Sequence, residues 1–113
     1  MNMQQQIKVY EILYQVWSKE SSSKWTKENP ANGQCGVTSL VVQDLFGGDI
    51  YKTNVKGSWH FYNMIEGKRY DFTASQFLEL PLYEDQPSSR NEAFEDTNHE
   101  QYTYLKEQVM QFL

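Results

Sequence analysis

The stretch Cys35-Gly-Val-Thr-Ser-Leu-Val-Val-Gln-Asp-Leu-Phe46 constrains the fold more than any other part of the chain. Val37, Leu40, Val41 and Leu45 recur at helical spacing, and Gly47-Gly48 supplies the stop that follows. A helix that is apolar on most sides must be covered on most sides. The rest of the 113-residue chain therefore has to wrap it. A chain of this length makes one domain, residues 1–113, with a core of modest size. The same stretch begins on the only cysteine, Cys35. One cysteine allows no internal disulfide, so the fold does not depend on oxidation and suits a reducing compartment.

Other elements follow from periodicity and punctuation. Ile7, Tyr10, Leu13, Tyr14 and Trp17 lie at helical spacing and predict an amphipathic helix over about residues 4–18. The polar run Ser18-Lys19-Glu20-Ser21-Ser22-Ser23 ends it. Residues 18–34 then read as a long loop that packs down through Trp25 and Asn29-Pro30. Alternation predicts strands over 49–55 and 59–65, and the Glu66-Gly67 turn leads into a third over 68–72. Thr73-Ala-Ser-Gln76 reads as a capping box opening a short helical turn, closed before Pro81. Residues 81–96 read as loop. Thr97-Asn-His-Glu100 opens a C-terminal helix with Tyr102, Leu105, Val109 and Phe112 on one face. The order predicts an α+β fold, with helices packed on a small antiparallel sheet.

Chemistry concentrates at three residues. A thiol at the start of a helix faces free N–H groups and the positive end of the helix dipole, which favour a thiolate at Cys35. Strand alternation puts His60, Tyr62 and Met64 on one face. A hairpin turning at Glu66-Gly67 pairs Ile65 with Lys68, Met64 with Arg69, Asn63 with Tyr70 and Tyr62 with Asp71. Asp71 thus shares the His60 face, one diagonal step away, and can orient the imidazole while the other ring nitrogen takes the Cys35 proton. Oxyanion donors are sought at the Cys35 backbone N–H and the Gln34 amide, with Asn29 or Asn32 as substitutes; Gly33 and Gly36 allow close backbone approach. Trp59, beside His60, belongs to the aromatic residues that would wall a groove.

Each residue also has a plainer reading. Cys35 serves as a small buried hydrophobe, His60 as a satisfied core histidine, and Asp71 as a cap for the Thr73 turn. Cys35, His60, Asp71 and His99 could together ligate zinc, yet none sits at tight ligand spacing, so no metal or cofactor is expected. His99 reads as a solvated first-turn residue, and Arg90 as a surface charge or an anchor for an anionic substrate.

Asn29 through Asp44, Phe46-Gly-Gly-Asp-Ile50, His60-Phe-Tyr-Asn63 and Tyr70-Asp-Phe-Thr73 with Gln76-Phe77 together resemble the YunG-like family of small bacterial proteins. The resemblance covers about residues 29–78 and, more loosely, the whole chain. The order Cys, His, Asp is in turn similar to that of papain-like and transglutaminase-like proteins. It implies a core of that kind, with Cys35 as nucleophile, His60 as base and Asp71 as orienter. Asn63 matches the family's polar position after the histidine and reads as a supporting or hairpin contact. Papain-like proteases place an oxyanion glutamine several residues before the cysteine, whereas Gln34 adjoins it, so the resemblance assigns no oxyanion donor.

The expected function is a small cysteine hydrolase or acyl transferase acting on an amide or thioester of a protein or peptide substrate. The alternative is a catalytically inactive binding module or protein inhibitor that engages a protein partner. The net charge is -5 and the ten basic residues form no block, which argues against nucleic acid. No run of about 18 apolar residues could span a membrane. The polar start Met1-Asn2-Met3-Gln4-Gln5-Gln6 lacks the pattern of a signal peptide, so cytoplasmic residence is expected. Oligomeric state is not readable.

Overall fold

In a computed structural model describing residues 1–113, the apolar helix α2 (Cys35–Phe46) is buried at every residue from Cys35 through Val42. Two sets of elements cover it. Helix α1 (Met3–Val16) and the C-terminal helix α4 (His99–Phe112) contribute Val9, Ile12, Leu13, Val16, Leu105 and Val109 to a core shared with Val37, Val41 and Val42. A four-stranded antiparallel sheet contributes the rest. Its strands are β1 (Asp49–Val55), β2 (Ser58–Ile65), β3 (Lys68–Tyr70) and β4 (Gln86–Pro87), in the order β3-β2-β1-β4. Ile50 of β1 and Phe61 of β2 meet Leu40 and Cys35 in a second, smaller cluster. The architecture is α+β.

The hairpin register places Ile65 opposite Lys68, Met64 opposite Arg69 and Asn63 opposite Tyr70, as the Glu66-Gly67 turn predicts. Strand β3 stops at Tyr70, two residues short of the expected end, and Asp71 leaves the ladder. One edge of β2 is therefore unpaired from Tyr62 back to Ser58, where His60 lies.

Several other expectations are corrected. Of the stripe expected on α1, Leu13 and Trp17 are buried, but Ile7 is 51% exposed and Tyr14 is exposed, and Val9, Ile12 and Val16 fill the buried face instead. Both stripes have helical spacing; the winner buries aliphatic groups and leaves the tyrosines half out, where their hydroxyls find partners. Tyr10 donates to the Asp71 carbonyl at 3.1 Å, and Tyr14 bonds Ser75. Phe112, expected on the buried face of α4, is exposed. The Thr73 side chain caps nothing; Ala74–Gln76 is a single 3-10 turn. Asn98, not Thr97, caps α4, accepting from the Gln101 N–H at 2.8 Å.

The segment read as loop over 81–96 contains β4 and a short helix, α3 (Arg90–Glu95), capped by Ser89. Only Ala93 of α3 is buried, so no apolar periodicity marked it. The long 18–34 segment has no strand or helix, and it packs down as expected: Ser21, Ser22, Ala31 and Gln34 are buried. No helix is long and apolar enough to cross a membrane.

Candidate functional site

His60 lies on β2 beside the place where β3 ends. Its Nε2 lies 2.7 Å from Asp71 Oδ2, with the side chains only 2% and 5% exposed. Leaving the ladder frees Asp71 to make this contact. The same Oδ2 accepts from the Tyr83 hydroxyl at 2.7 Å, while Oδ1 accepts from the Thr73 N–H at 3.2 Å and its hydroxyl at 3.3 Å. One carboxylate thus orients the imidazole and caps the Thr73 turn, two readings that the sequence set against each other. Phe77 packs edge-on against the His60 ring at 4.8 Å. The second ring nitrogen, Nδ1, is buried and has no hydrogen-bond partner. Buried polar atoms are seldom left this way.

Cys35 is the first residue of α2, as expected, and lines the same pocket of about 340 Å³ as His60, Trp59, Phe77, Asn32 and Asp96. Its thiol does not hydrogen-bond His60. It donates instead to Asp96 Oδ2 at 3.4 Å, and the Gly36 N–H donates to the same oxygen at 3.0 Å. Asp96 therefore occupies the anion-favouring start of α2 from a distant part of the chain. The expectation of a thiolate stabilised by the helix start is corrected accordingly. Burial pushes the Cys35 thiol up first, and the Asp96 carboxylate adds to it; the Phe61 backbone amide opposes both. The thiol is protonated at neutral pH. Burial likewise raises the Asp96 carboxyl, against the hydrogen bonds from Cys35 and Gly36.

Gly36 makes this contact possible. A Cβ there would lie 2.7 Å from Asp96 Oδ2 and 2.8 Å from the Ala93 carbonyl, so only glycine lets α3 close over the first turn of α2. A glycine directly after the cysteine was the only sequence signal for Asp96, and it does not say which carboxylate approaches.

The remaining candidates separate. Gln34 is fully buried, with Nε2 3.5 Å from the Ser18 carbonyl and Oε1 unpartnered, and it does not line the pocket. Asn29 donates to the Gln76 carbonyl at 3.1 Å and is outside the pocket as well. Asn32 does line it, with its amide donating to the Lys24 carbonyl at 3.1 Å. Asn63 lies on the α2 face of β2 and donates to the Ser39 carbonyl at 3.0 Å; the Ser39 hydroxyl donates to the Cys35 carbonyl at 2.6 Å. That chain ties the first turn of α2 to the histidine strand. Trp59 forms part of the pocket rim, with Lys52 Nζ 4.2 Å from its ring centroid. Arg90 pairs with Asp44 at 3.1 Å and donates to Gln43, away from the pocket. His99 stacks on Phe94, and no group of three or more His, Cys, Asp or Glu side chains is placed to hold a metal ion. Phe77, which packs on His60, appeared in the sequence only within the family resemblance, and Tyr83, which holds Asp71, was not singled out; both follow the hairpin in irregular chain.

A family model described as YunG protein matches residues 5–113. The protein described as "Uncharacterized protein YunG" from Bacillus subtilis (strain 168) is 62% identical over 96 residues, covering 85% of this chain and 84% of the relative. No solved structure matches.

Proposed function

The chain belongs to the YunG family, and on that footing we propose that it is a small cysteine hydrolase or acyl transferase working through Cys35, His60 and Asp71. One observation carries the reading. The buried His60–Asp71 pair lies beside Cys35, with both His60 and Cys35 lining one pocket. The helix-start cysteine, strand histidine and following carboxylate also share the chain order of papain-like and transglutaminase-like cores, and we extend the core assignment on that basis.

The chemistry runs as follows. The Cys35 thiol gives its proton to His60 Nδ1, and the sulfur attacks the carbonyl carbon of an amide or thioester. The imidazolium, oriented by Asp71, returns the proton to the leaving amine or thiol as the carbon–heteroatom bond breaks. The acyl group stays on Cys35. Water or an amine, deprotonated by His60, then attacks the acyl carbon; the carbon–sulfur bond breaks, His60 returns its proton to the Cys35 sulfur, and an acid or a new amide is released. The backbone N–H groups of Cys35 and Gly36 are the oxyanion donors at hand, and the Gly36 N–H becomes free only when Asp96 releases it.

A specific observation favours a second reading. Cys35 is hydrogen-bonded to Asp96 rather than His60, as it would be in an inactive binding module that engages a protein partner.

Acylation by p-nitrophenyl acetate separates the two. The native chain is expected to gain one acetyl group on Cys35, read by intact-protein and peptide mass spectrometry. Cys35→Ser should gain none there, and His60→Ala should gain it at least about tenfold more slowly. A native chain that leaves Cys35 unacetylated, or a rate indifferent to His60, would overturn the enzymatic reading.

A further inference from the structure

Leu78, Leu80 and Leu82 are 107%, 71% and 92% exposed, three large apolar side chains within five residues. They follow Phe77, the ring packed against His60. The segment is held at both ends. Phe77 donates its N–H to Ala74, and the Thr53 hydroxyl donates to the Leu82 carbonyl at 2.9 Å while accepting from the Glu84 N–H at 3.0 Å. Between those anchors, the backbone N–H and C=O groups of Leu78, Glu79 and Leu80 make no hydrogen bond within the chain. A second pocket of about 650 Å³ lies alongside, with Val55, Phe77, Leu78, Leu80 and Pro81 among its lining and Lys56 and Glu79 as its charged residues. It shares Ser58, Gln76 and Phe77 with the Cys35–His60 pocket.

We propose that this groove seats an extended apolar segment of a polypeptide substrate, running on from the reacting carbonyl held at Cys35. The inference rests on the thiol chemistry proposed above and adds where the substrate chain lies and what it carries. Continuity of the two pockets lets one chain occupy both. Solvated leucines gain from covering by apolar side chains. The unpaired amide groups at residues 78–80 match a peptide backbone, as in strand-addition recognition, whereas a hydrocarbon surface would leave them unsatisfied.

The test compares Cys35 alkylation by three reagents: iodoacetamide, N-acetyl-Leu-Leu-Leu chloromethyl ketone, and an N-acetyl-Glu-Glu-Gly chloromethyl ketone. In each case sulfur displaces halide. The trileucine reagent is expected to react about tenfold or more faster than the acidic peptide, the discrimination that a few apolar contacts supply. Combining Leu78→Ser, Leu80→Ser and Leu82→Ser should erase that preference and leave the iodoacetamide rate unchanged. These side chains are solvated, so the fold should tolerate the change. Equal peptide rates alongside normal iodoacetamide reactivity would overturn the groove and leave the thiol chemistry standing. A Cys35 inert to all three reagents would overturn both. A concentration-dependent dimer, abolished by the triple variant in sedimentation, would assign the leucines to a second copy of this chain and overturn the substrate assignment.

Discussion

Asp96→Asn is expected to speed alkylation of Cys35 at pH 7 by about tenfold or more. The carboxylate oxygen lies 3.4 Å from the sulfur. At an effective dielectric near 20, two full charges at that distance would repel by about 5 kcal/mol. Asp96 is an exposed residue and water screens the pair, leaving a repulsion of about 1.4–2 kcal/mol. That corresponds to roughly ten- to thirtyfold in thiolate population. The sign follows from which form reacts. The thiolate is the nucleophile, and burial with Asp96 raises the thiol above its ordinary value, so the native rate is low at neutral pH and climbs as pH rises. Removing the charge moves that climb to lower pH. Asparagine keeps an acceptor for the Gly36 N–H, so the α3 contact is retained. Glu95→Gln, in the same pocket but without a contact to Cys35, serves as the control and should change the rate little. An unchanged profile in Asp96→Asn would mean that burial alone holds the thiol protonated.

Asp71→Ala should be the most destabilising single change at the site, costing about 3–5 kcal/mol in urea unfolding. It removes the acceptor for His60 Nε2, the Tyr83 hydroxyl, and the Thr73 N–H and hydroxyl together. His60 is almost sealed and cannot recover these bonds from water. Such a loss consumes much of the stability margin of a domain this size. Asp71→Asn keeps the shape and one acceptor oxygen, and should cost less, about 1–2 kcal/mol. It therefore separates the carboxylate's chemical role from its structural one: a folded Asp71→Asn chain that acetylates as fast as the native one would remove Asp71 from the mechanism. An Asp71→Ala cost below about 1 kcal/mol would show that the buried contacts contribute little.

What could be read from the chain tracks how local each feature is. The nearness of His60 and Asp71 was legible because the turn at Glu66-Gly67 fixes the hairpin register, but the expected Tyr62–Asp71 pair does not form: β3 ends at Tyr70, and Asp71 reaches His60 from outside the ladder. The start of α2 at Cys35 was legible because the apolar run and Gly47-Gly48 bound it. The state of Cys35 was not. It depends on Asp96, 61 residues away, which reaches the sulfur only because α3 folds over Gly36. A six-residue helix with one buried side chain leaves no periodic trace. On α1 two overlapping stripes were equally periodic, and the buried face took Val9, Ile12, Leu13 and Val16 while Tyr10 and Tyr14 turned partly outward, where their hydroxyls bond the Asp71 carbonyl and Ser75. Gln34 shows the same limit at the site. Adjacent to Cys35 in sequence, it turns inward to the Ser18 carbonyl, since a helix start sends successive side chains in different directions.

The most direct test of the account is the rate of Cys35 alkylation by iodoacetamide across pH, in Asp96→Asn and in Asp96→Asn combined with His60→Ala. With the carboxylate gone, the pairing of thiol and imidazole controls the rate. The account predicts that removing His60 slows alkylation at neutral pH about tenfold and moves the apparent thiol pKa upward. Superimposable profiles would contradict it, leaving Cys35 a buried thiol with no functional link to the His60–Asp71 pair.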